Sequence, residues 1–227
     1  MIPLRDDNPT MLRPIATVAI IVVCTLVFLW QIALPKRAEQ EVVYALGLIP
    51  AVLLGNGQLP EMLRWVPAPL TIFTSMFLHG GFLHIAGNML YLWIFGDNVE
   101  DRMGHGRFVL FYLICGVVAA LSQALPAPDS TVPMIGASGA ISGVLGASLL
   151  LYPRANVLVV IPIIIIPYTL RLPAVVVLGM WFVLQLLSSL AGGGASVAFR
   201  AHVGGFVAGM LLLRLFMRRG PPIRQLW

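Results

Sequence analysis

Apolar residues in this chain do not recur at the spacing of a one-sided surface helix; they run on without a polar face for fifteen residues or more at a time. A helix that crosses a bilayer needs roughly 20 mainly apolar residues. Six stretches fit that description: Pro14–Leu34; Gly81–Phe95, extended by the polar end Gly96-Asp97-Asn98; Phe108–Leu125, closed by Pro126 and Pro128; Gly136–Tyr152, closed by Pro153; Pro173–Leu190, ended by Gly192-Gly193-Gly194; and Ala201–Met217. The first is too long for a signal-peptide core and has no small-residue cleavage site, so it is read as a retained span.

Two intervening stretches read differently. Residues 36–80 carry a turn signal at Gly55-Asn56-Gly57 and prolines at 60, 67 and 69. With Trp65, Phe73, Met76 and Phe77 they suggest a segment lying in the membrane interface rather than crossing it. Residues Val157–Ile166 are very apolar but short and broken by Pro162, with Pro167 following; they read as a connection hugging the membrane surface.

Composition agrees with the pattern. Of 227 residues, 59% are hydrophobic and 10% charged, against about 25% charged in an ordinary soluble domain. A water-facing shell cannot be built from so few charges. One domain over residues 1–227 is expected, with a short polar N-terminus (1–13) and a basic tail (214–227). The net charge of +5 does not point to nucleic acid, because the basic residues lie between apolar runs and in the tail, with no aromatic-basic face. Cys24 and Cys115 each lie inside an apolar run and read as buried thiols rather than a disulfide.

The basic residues also set an orientation. With the N-terminus inside, the inner segments hold Arg5, Arg13, Arg102, Arg107, Arg154, Arg171, Arg214, Arg218, Arg219 and Arg224; the outer ones hold Lys36, Arg37, Arg64 and Arg200. Both termini are therefore expected in the cytoplasm. Spans two, four and six then run from outside to inside, and their first turns share one depth near the outer face.

Those first turns carry the polar residues. Span two contains His84 and Asn88, four apart and so on one helix face. Span four opens Gly136-Ala137-Ser138-Gly139, and span six opens Ala201-His202-Val203-Gly204-Gly205. Polar groups at membrane depth are costly and face a bundle interior or a water cavity. A serine hydroxyl becomes a nucleophile when a neighbouring imidazole takes its proton. Acyl transfer also needs donors for the oxyanion, and His84, Asn88 and the Ser138 backbone N–H are candidates. No carboxylate is placed to orient His202; Asp129, in the loop before span four, is the nearest outer-face acid, so a Ser–His dyad is expected rather than a triad. Gly139, Gly143 and Gly146 on span four, and Gly205 and Gly209 on span six, are spaced for close helix contact. Ser142, Ser148, Ser188 and Ser189 read as serines bonded to their own backbone or a neighbouring helix. His79 either assists the site or bonds loop backbone, and His105 reads as solvated in an inner loop.

These motifs resemble the rhomboid family, in which a GxSG serine is paired with an AHxxGxxxG histidine; here the second reads Ala201-His202-Val203-Gly204-Gly205-Phe206-Val207-Ala208-Gly209. His84 and Asn88 match the family's second-span pattern, and Glu100-Asp101-Arg102-Met103-Gly104 resembles the acidic-then-glycine loop that follows. The resemblance covers most of residues 70–215. It implies a six-helix all-α membrane bundle and an intramembrane serine endopeptidase. Ser138 would be the nucleophile, His202 the general base and acid, and Asn88 and His84 the lining of the oxyanion site. It also implies a water-filled cavity open to the outer face, with substrate entering near span five. The expected partners are the bilayer and single-span membrane proteins with small or helix-breaking residues near their outer boundary, without cofactor or metal. One departure stands out. Many relatives carry an aromatic four residues after the serine that packs on the catalytic histidine; here that position is Ser142, which leaves the local support of His202 open.

Other readings fit less well. A small transporter would use intramembrane polar groups too, but no internal repeat is visible. A noncatalytic rhomboid-like binder of membrane helices has no need of both Ser138 and His202. A zinc protease needs HExxH, which is absent; an aspartyl type needs two intramembrane aspartates, and only Asp97 comes close. His79 and His84, five apart, diverge on a helix and lack a third metal ligand. A bacterial plasma membrane is the expected location.

Overall fold

The computed structural model describes residues 1–163, 166–191 and 198–218, the side chains of 162–166 excepted. In chain order the elements are β1 (Ile2–Asp6), α1 (Ile15–Ala33), α2 (Lys36–Leu46), α3 (Pro50–Leu53), α4 (Thr71–Thr74), α5 (Phe82–Met103), α6 (His105–Ala124), α7 (Ser138–Leu151), β2 (Asn156–Ile163), β3 (Ile166–Pro173), α8 (Ala174–Leu190) and α9 (Phe199–Phe216). The protein is mostly helical, and each of the six apolar runs forms one of its longer helices. The glycines expected to end the fifth, and Arg219 and Arg224, lie outside the described residues.

Helices α1, α6 and α9 are each long and apolar enough to cross a membrane. The segment Glu61–Phe77 meets α5 at an 82° bend, so it runs across that helix rather than along it. Helices α7 and α8 are shorter, at 14 and 17 residues. At 1.5 Å per residue α7 reaches only about 21 Å, well short of a hydrocarbon core of about 30 Å. Its composition explains how that is tolerated. Every residue from Ala140 to Ser148 is buried, so α7 is surrounded by protein on all sides, where backbone ends need not meet lipid.

Backbone contact made possible by glycine fixes α7 against α9. A Cβ on Gly205 or Gly209 would strike the backbone carbonyl of Gly139 or Gly143, and one on Gly146 would strike that of Phe206. Helix α6 closes in at the same place: a Cβ on Gly139 would stand 2.7 Å from Ala119 of α6, which is also next to Gly205. The expected role of these glycines in close helix contact is what the packing shows.

Helix α5 runs further than its apolar stretch, and the reason lies in α1. A helix N-terminus leaves its first N–H groups without intrahelical partners. Glu100 accepts from the backbone N–H of Ala16 (2.9 Å) and Thr17 (2.7 Å), and Asp101 from those of Met11 (3.2 Å) and Leu12 (2.7 Å). The acidic stretch thus caps α1. His105, expected to be solvated, instead hydrogen-bonds Glu100. Cys24 and Cys115 are free and buried.

The all-α expectation needs correction. Among the described residues three strands form an antiparallel sheet in the order β1-β2-β3, so residues 157–163, expected as a connection, belong to a paired strand, and the polar N-terminus contributes another. Pro162 and Pro167 do not break the pairing of β2 with β3, because they sit opposite each other in its register, next to Ile163 and Ile166. Val157 and Val159 are fully buried, two apart and therefore on one face, and they join the helical core. Asp7 binds Asn156 twice, through the backbone N–H (2.8 Å) and the side-chain amide (2.9 Å). The sheet leads directly into α8, whose first N–H groups donate to the Ala155 and Pro153 carbonyls (2.8 and 2.9 Å).

Candidate active site

Ser138 is the first residue of α7, and the turn that delivers it depends on glycine. Gly136 has φ +122°, a region L side chains rarely adopt, and its N–H donates to the Ser75 carbonyl (2.8 Å). A Cβ there would also stand 2.6 Å from His84 Nε2. The backbone therefore passes directly against the His84 ring and continues into α7. At that terminus the N–H groups of Ser138, Gly139 and Ala140 have no intrahelical acceptor, which makes the position favourable for negative charge.

The Ser138 hydroxyl and His202 Nε2 are hydrogen-bonded across 2.8 Å. The glycine contacts between α7 and α9 set this distance, since Gly205 and Gly209 lie on the helix that carries His202 and Gly139 and Gly143 on the one that carries Ser138. The other ring nitrogen, His202 Nδ1, bonds Gln185 Oε1 of α8 at 2.7 Å. Trp181, one turn earlier on α8, places its ring 5.9 Å from the imidazole at 38°, and Phe199 meets it edge-on at 6.4 Å.

A cavity of about 560 Å³ opens onto this pair, lined among others by His84, Asn88, Tyr91, Ser138, Gln185 and His202. Asn88 is buried and its Nδ2 has no hydrogen-bond partner among the described residues. A buried amide donor without an acceptor costs about 1–3 kcal/mol, so it is poised for an acceptor that enters the cavity. His84 Nδ1 accepts from the Gly80 N–H (3.3 Å). In the neutral imidazole this leaves the proton on Nε2, on the side turned to Gly136. His84, Asn88 and the α7 terminus therefore present donors to one space.

Of the remaining polar residues, His79 and Asp129 are not among those lining it, whereas Ser142 is. His79 is buried; its backbone N–H donates to Gln31 Oε1 (3.0 Å), its ring nitrogen Nδ1 meets the Phe77 carbonyl (3.2 Å), and its ring lies 5.2 Å from that of His84. It ties the loop before α5 to α1. Ser142 donates to the Ser138 carbonyl (2.6 Å), a bond to its own helix as expected. Asp129 accepts from Asn56 (2.9 Å) in a surface loop.

Gln185 and Trp181 were not among the candidates read from the sequence. A signal was present: a glutamine within an apolar run, four residues after a tryptophan, is the same kind of observation that singled out His84 and Asn88.

Comparison with known proteins follows the same residues. The family model described as Rhomboid domain matches residues 67–219. Rhomboid protein 1, mitochondrial, of Saccharomyces cerevisiae is 31% identical over 198 residues, 78% of this chain and 53% of that one. Rhomboid protease GluP of Bacillus subtilis is 44% identical over 78 residues, 34% of this chain and 15% of that one. RHOMBOID-like protein 5 of Arabidopsis thaliana is 30% identical over 167 residues, 74% of this chain and 47% of that one. The matched stretch thus spans about half the length of the yeast and plant relatives and less of the bacterial one.

Proposed function

The chain belongs to the rhomboid family, and we propose that it is an active intramembrane serine endopeptidase that cuts membrane proteins in or near their transmembrane segments. The observation that carries this reading is the 2.8 Å hydrogen bond from Ser138 to His202 at the wall of a cavity with free donors.

Ser138 Oγ attacks the scissile carbonyl carbon as its proton passes to His202 Nε2. The carbonyl oxygen becomes an oxyanion, which accepts from the Ser138 backbone N–H, the Asn88 amide and His84 Nε2–H. Collapse of the tetrahedral species breaks the C–N bond, and His202 returns the proton to the departing amine. Water, deprotonated by His202, then hydrolyses the acyl-enzyme and regenerates Ser138. The Ser138–His202 bond favours this reading over a noncatalytic binder of helices, which has no use for it.

The proposed architecture is a single domain over residues 1–227 with six membrane-embedded helices, α1, α5, α6, α7, α8 and α9, and both termini in the cytoplasm of a bacterial plasma membrane. Helices α5, α7 and α9 then start near the outer face, and the short α7 sets Ser138 below the surface, reached by water through the cavity. The excess of arginine on the inner segments supports that orientation. Substrates are proposed to be single-span proteins with helix-breaking residues near the outer boundary, since a peptide bond must leave its helix to be attacked.

The test is incubation of purified protein in detergent with a transmembrane substrate, beside Ser138→Ala. Product from wild type alone supports the assignment. Equal cleavage by both contradicts the nucleophile.

A further inference from the structure

We propose that Gln185 is a positioning residue that holds His202 in the tautomer and rotamer able to take the Ser138 proton, with Trp181 of the same helix packing on the imidazole. The proposal deepens the protease reading and rests on it for its kinetic consequences, though not for its geometry.

A neutral imidazole has one N–H donor and one acceptor nitrogen, and the partner of one nitrogen decides the role of the other. Gln185 Oε1 is an acceptor 2.7 Å from His202 Nδ1, so Nδ1 carries the proton. Nε2 is then the lone pair, facing the Ser138 hydroxyl at 2.8 Å. In the opposite tautomer Nε2–H would donate to the Ser138 oxygen, leaving no lone pair to take the hydroxyl proton, and the Nδ1 lone pair would face Oε1, leaving that oxygen without a proton to accept. Gln185 therefore selects the tautomer that a general base requires, the task a carboxylate performs in a triad. It does so without adding a buried charge, which at membrane depth is costly.

Trp181 answers the question left by Ser142. Ser142 is fully buried and bonded to its own helix, and no aromatic stands at that position to cover the imidazole. Trp181 covers it instead, itself stacked at 6.0 Å on Phe206 of α9. An indole face beside the ring also favours the imidazolium that forms during attack. Trp181 and Gln185 lie four apart, on one face of α8. They continue the stripe Ala174, Val177 and Leu178, which is buried. The stripe turns from aliphatic to aromatic to amide where it reaches His202. The support of the base thus comes from α8, and displacing α8 from α9 removes both contacts at once.

The test uses full-length protein in detergent with 15N-labelled histidine, the His202 signals being identified by their loss in His202→Ala. Above its titration range, His202 is expected protonated at Nδ1 in the wild type and mixed between tautomers in Gln185→Leu. A wild-type ring protonated at Nε2, or a Gln185→Leu spectrum identical to wild type, overturns the proposal whether or not the protein cleaves anything. Kinetics add a second arm. Gln185→Leu is expected to lower kcat by up to about 100-fold, the scale of a misplaced catalytic group, with KM and thermal stability unchanged. Gln185→Glu, which keeps the acceptor, is expected to restore the rate. Its carboxylate also favours the protonated ring, so the acid limb of its rate profile moves to higher pH. The other titratable groups lining the cavity are His84 and Tyr91, and neither changes between these variants. Full activity in Gln185→Leu, or no recovery in a folded Gln185→Glu, counts against the proposal. A wild type that cleaves nothing while holding the Nδ1–H tautomer counts against the protease reading alone.

Discussion

Two neighbours of α9 hold it in opposite ways. Helix α7 meets it backbone to backbone at its glycines. Helix α8 meets it through side chains, chiefly Trp181, Phe182 and Gln185, and is fully buried only at Ala174, Val177 and Leu178 in its first turns. Beyond them Val183, Leu184 and Leu187 are exposed on the apolar surface. The first contact cannot loosen gradually, because a shift of one helix carries carbonyls into the other. The second can. The nucleophile and base sit on the rigid pair, and the orienting group sits on the loose partner.

Substitutions of the dyad bear hardest on the rigid pair. Ser138→Ala and His202→Ala should each lower cleavage by about 10⁴-fold or more without changing the thermal midpoint in detergent. A midpoint that falls with activity would make these residues structural. Asn88→Ala probes the third wall of the cavity. It should slow kcat by about 10- to 1,000-fold if the amide serves the oxyanion, with KM little affected; a change confined to KM would assign Asn88 to substrate binding.

Glycine variants compare the two interfaces directly. In Gly209→Val the added carbons meet Gly143 backbone, which cannot move aside, and the cost should reach about 1–3 kcal/mol or more. A Cβ on Gly179 of α8 meets nothing within 4 Å, so Gly179→Ala should stay within about 0.5 kcal/mol of wild type. Unfolding measurements that find the two equal would erase the contrast between α7 and α8.

The smallest effect concerns the sheet that anchors the start of α8. Burial, then the Asp97 carboxylate, raises the Asp6 pKa from 3.8 to about 7, while hydrogen bonds from Asn8 oppose the rise. Asn98 also donates to this carboxylate at 2.6 Å, and Asp7 adds to the repulsion. The folded chain then keeps a proton that the unfolded chain releases near 3.8, so this group's contribution is complete below that pH. It declines as pH rises and is lost through about 7. Protection of the amides in residues 1–8, corrected for the intrinsic base-catalysed rate, should fall between about pH 4 and 7 and level off above, and Asp6→Asn should flatten that dependence. An unchanged slope in the variant would assign it to Asp97 or another group.

Much of this was legible in the chain. Helix positions follow from apolar runs, and α1, α6, α7, α8 and α9 begin and end within three residues of them. Ser138, His202, Asn88 and His84 announced themselves as polar groups where lipid tolerates few, and they line one cavity. What was not legible depended on partners distant in sequence. Glu100 and Asp101 extend α5 because they cap a helix more than eighty residues earlier. The sheet hid behind Pro162 and Pro167, which look like breakers until the register sets them opposite each other. β1 showed no apolar run at all; it forms because β2 offers it an edge. Gln185 stood out as an amide in an apolar run, but its partner His202 lies on the next helix and meets it only in the fold.

The most direct measurement of the central claim is reaction of the purified protein with a serine-reactive fluorophosphonate, mapped to the modified residue by mass spectrometry. Stoichiometric modification at Ser138 in wild type, with loss of that reaction in His202→Ala, is the predicted result. Modification at another serine, or at Ser138 at the same rate without His202, would contradict the account.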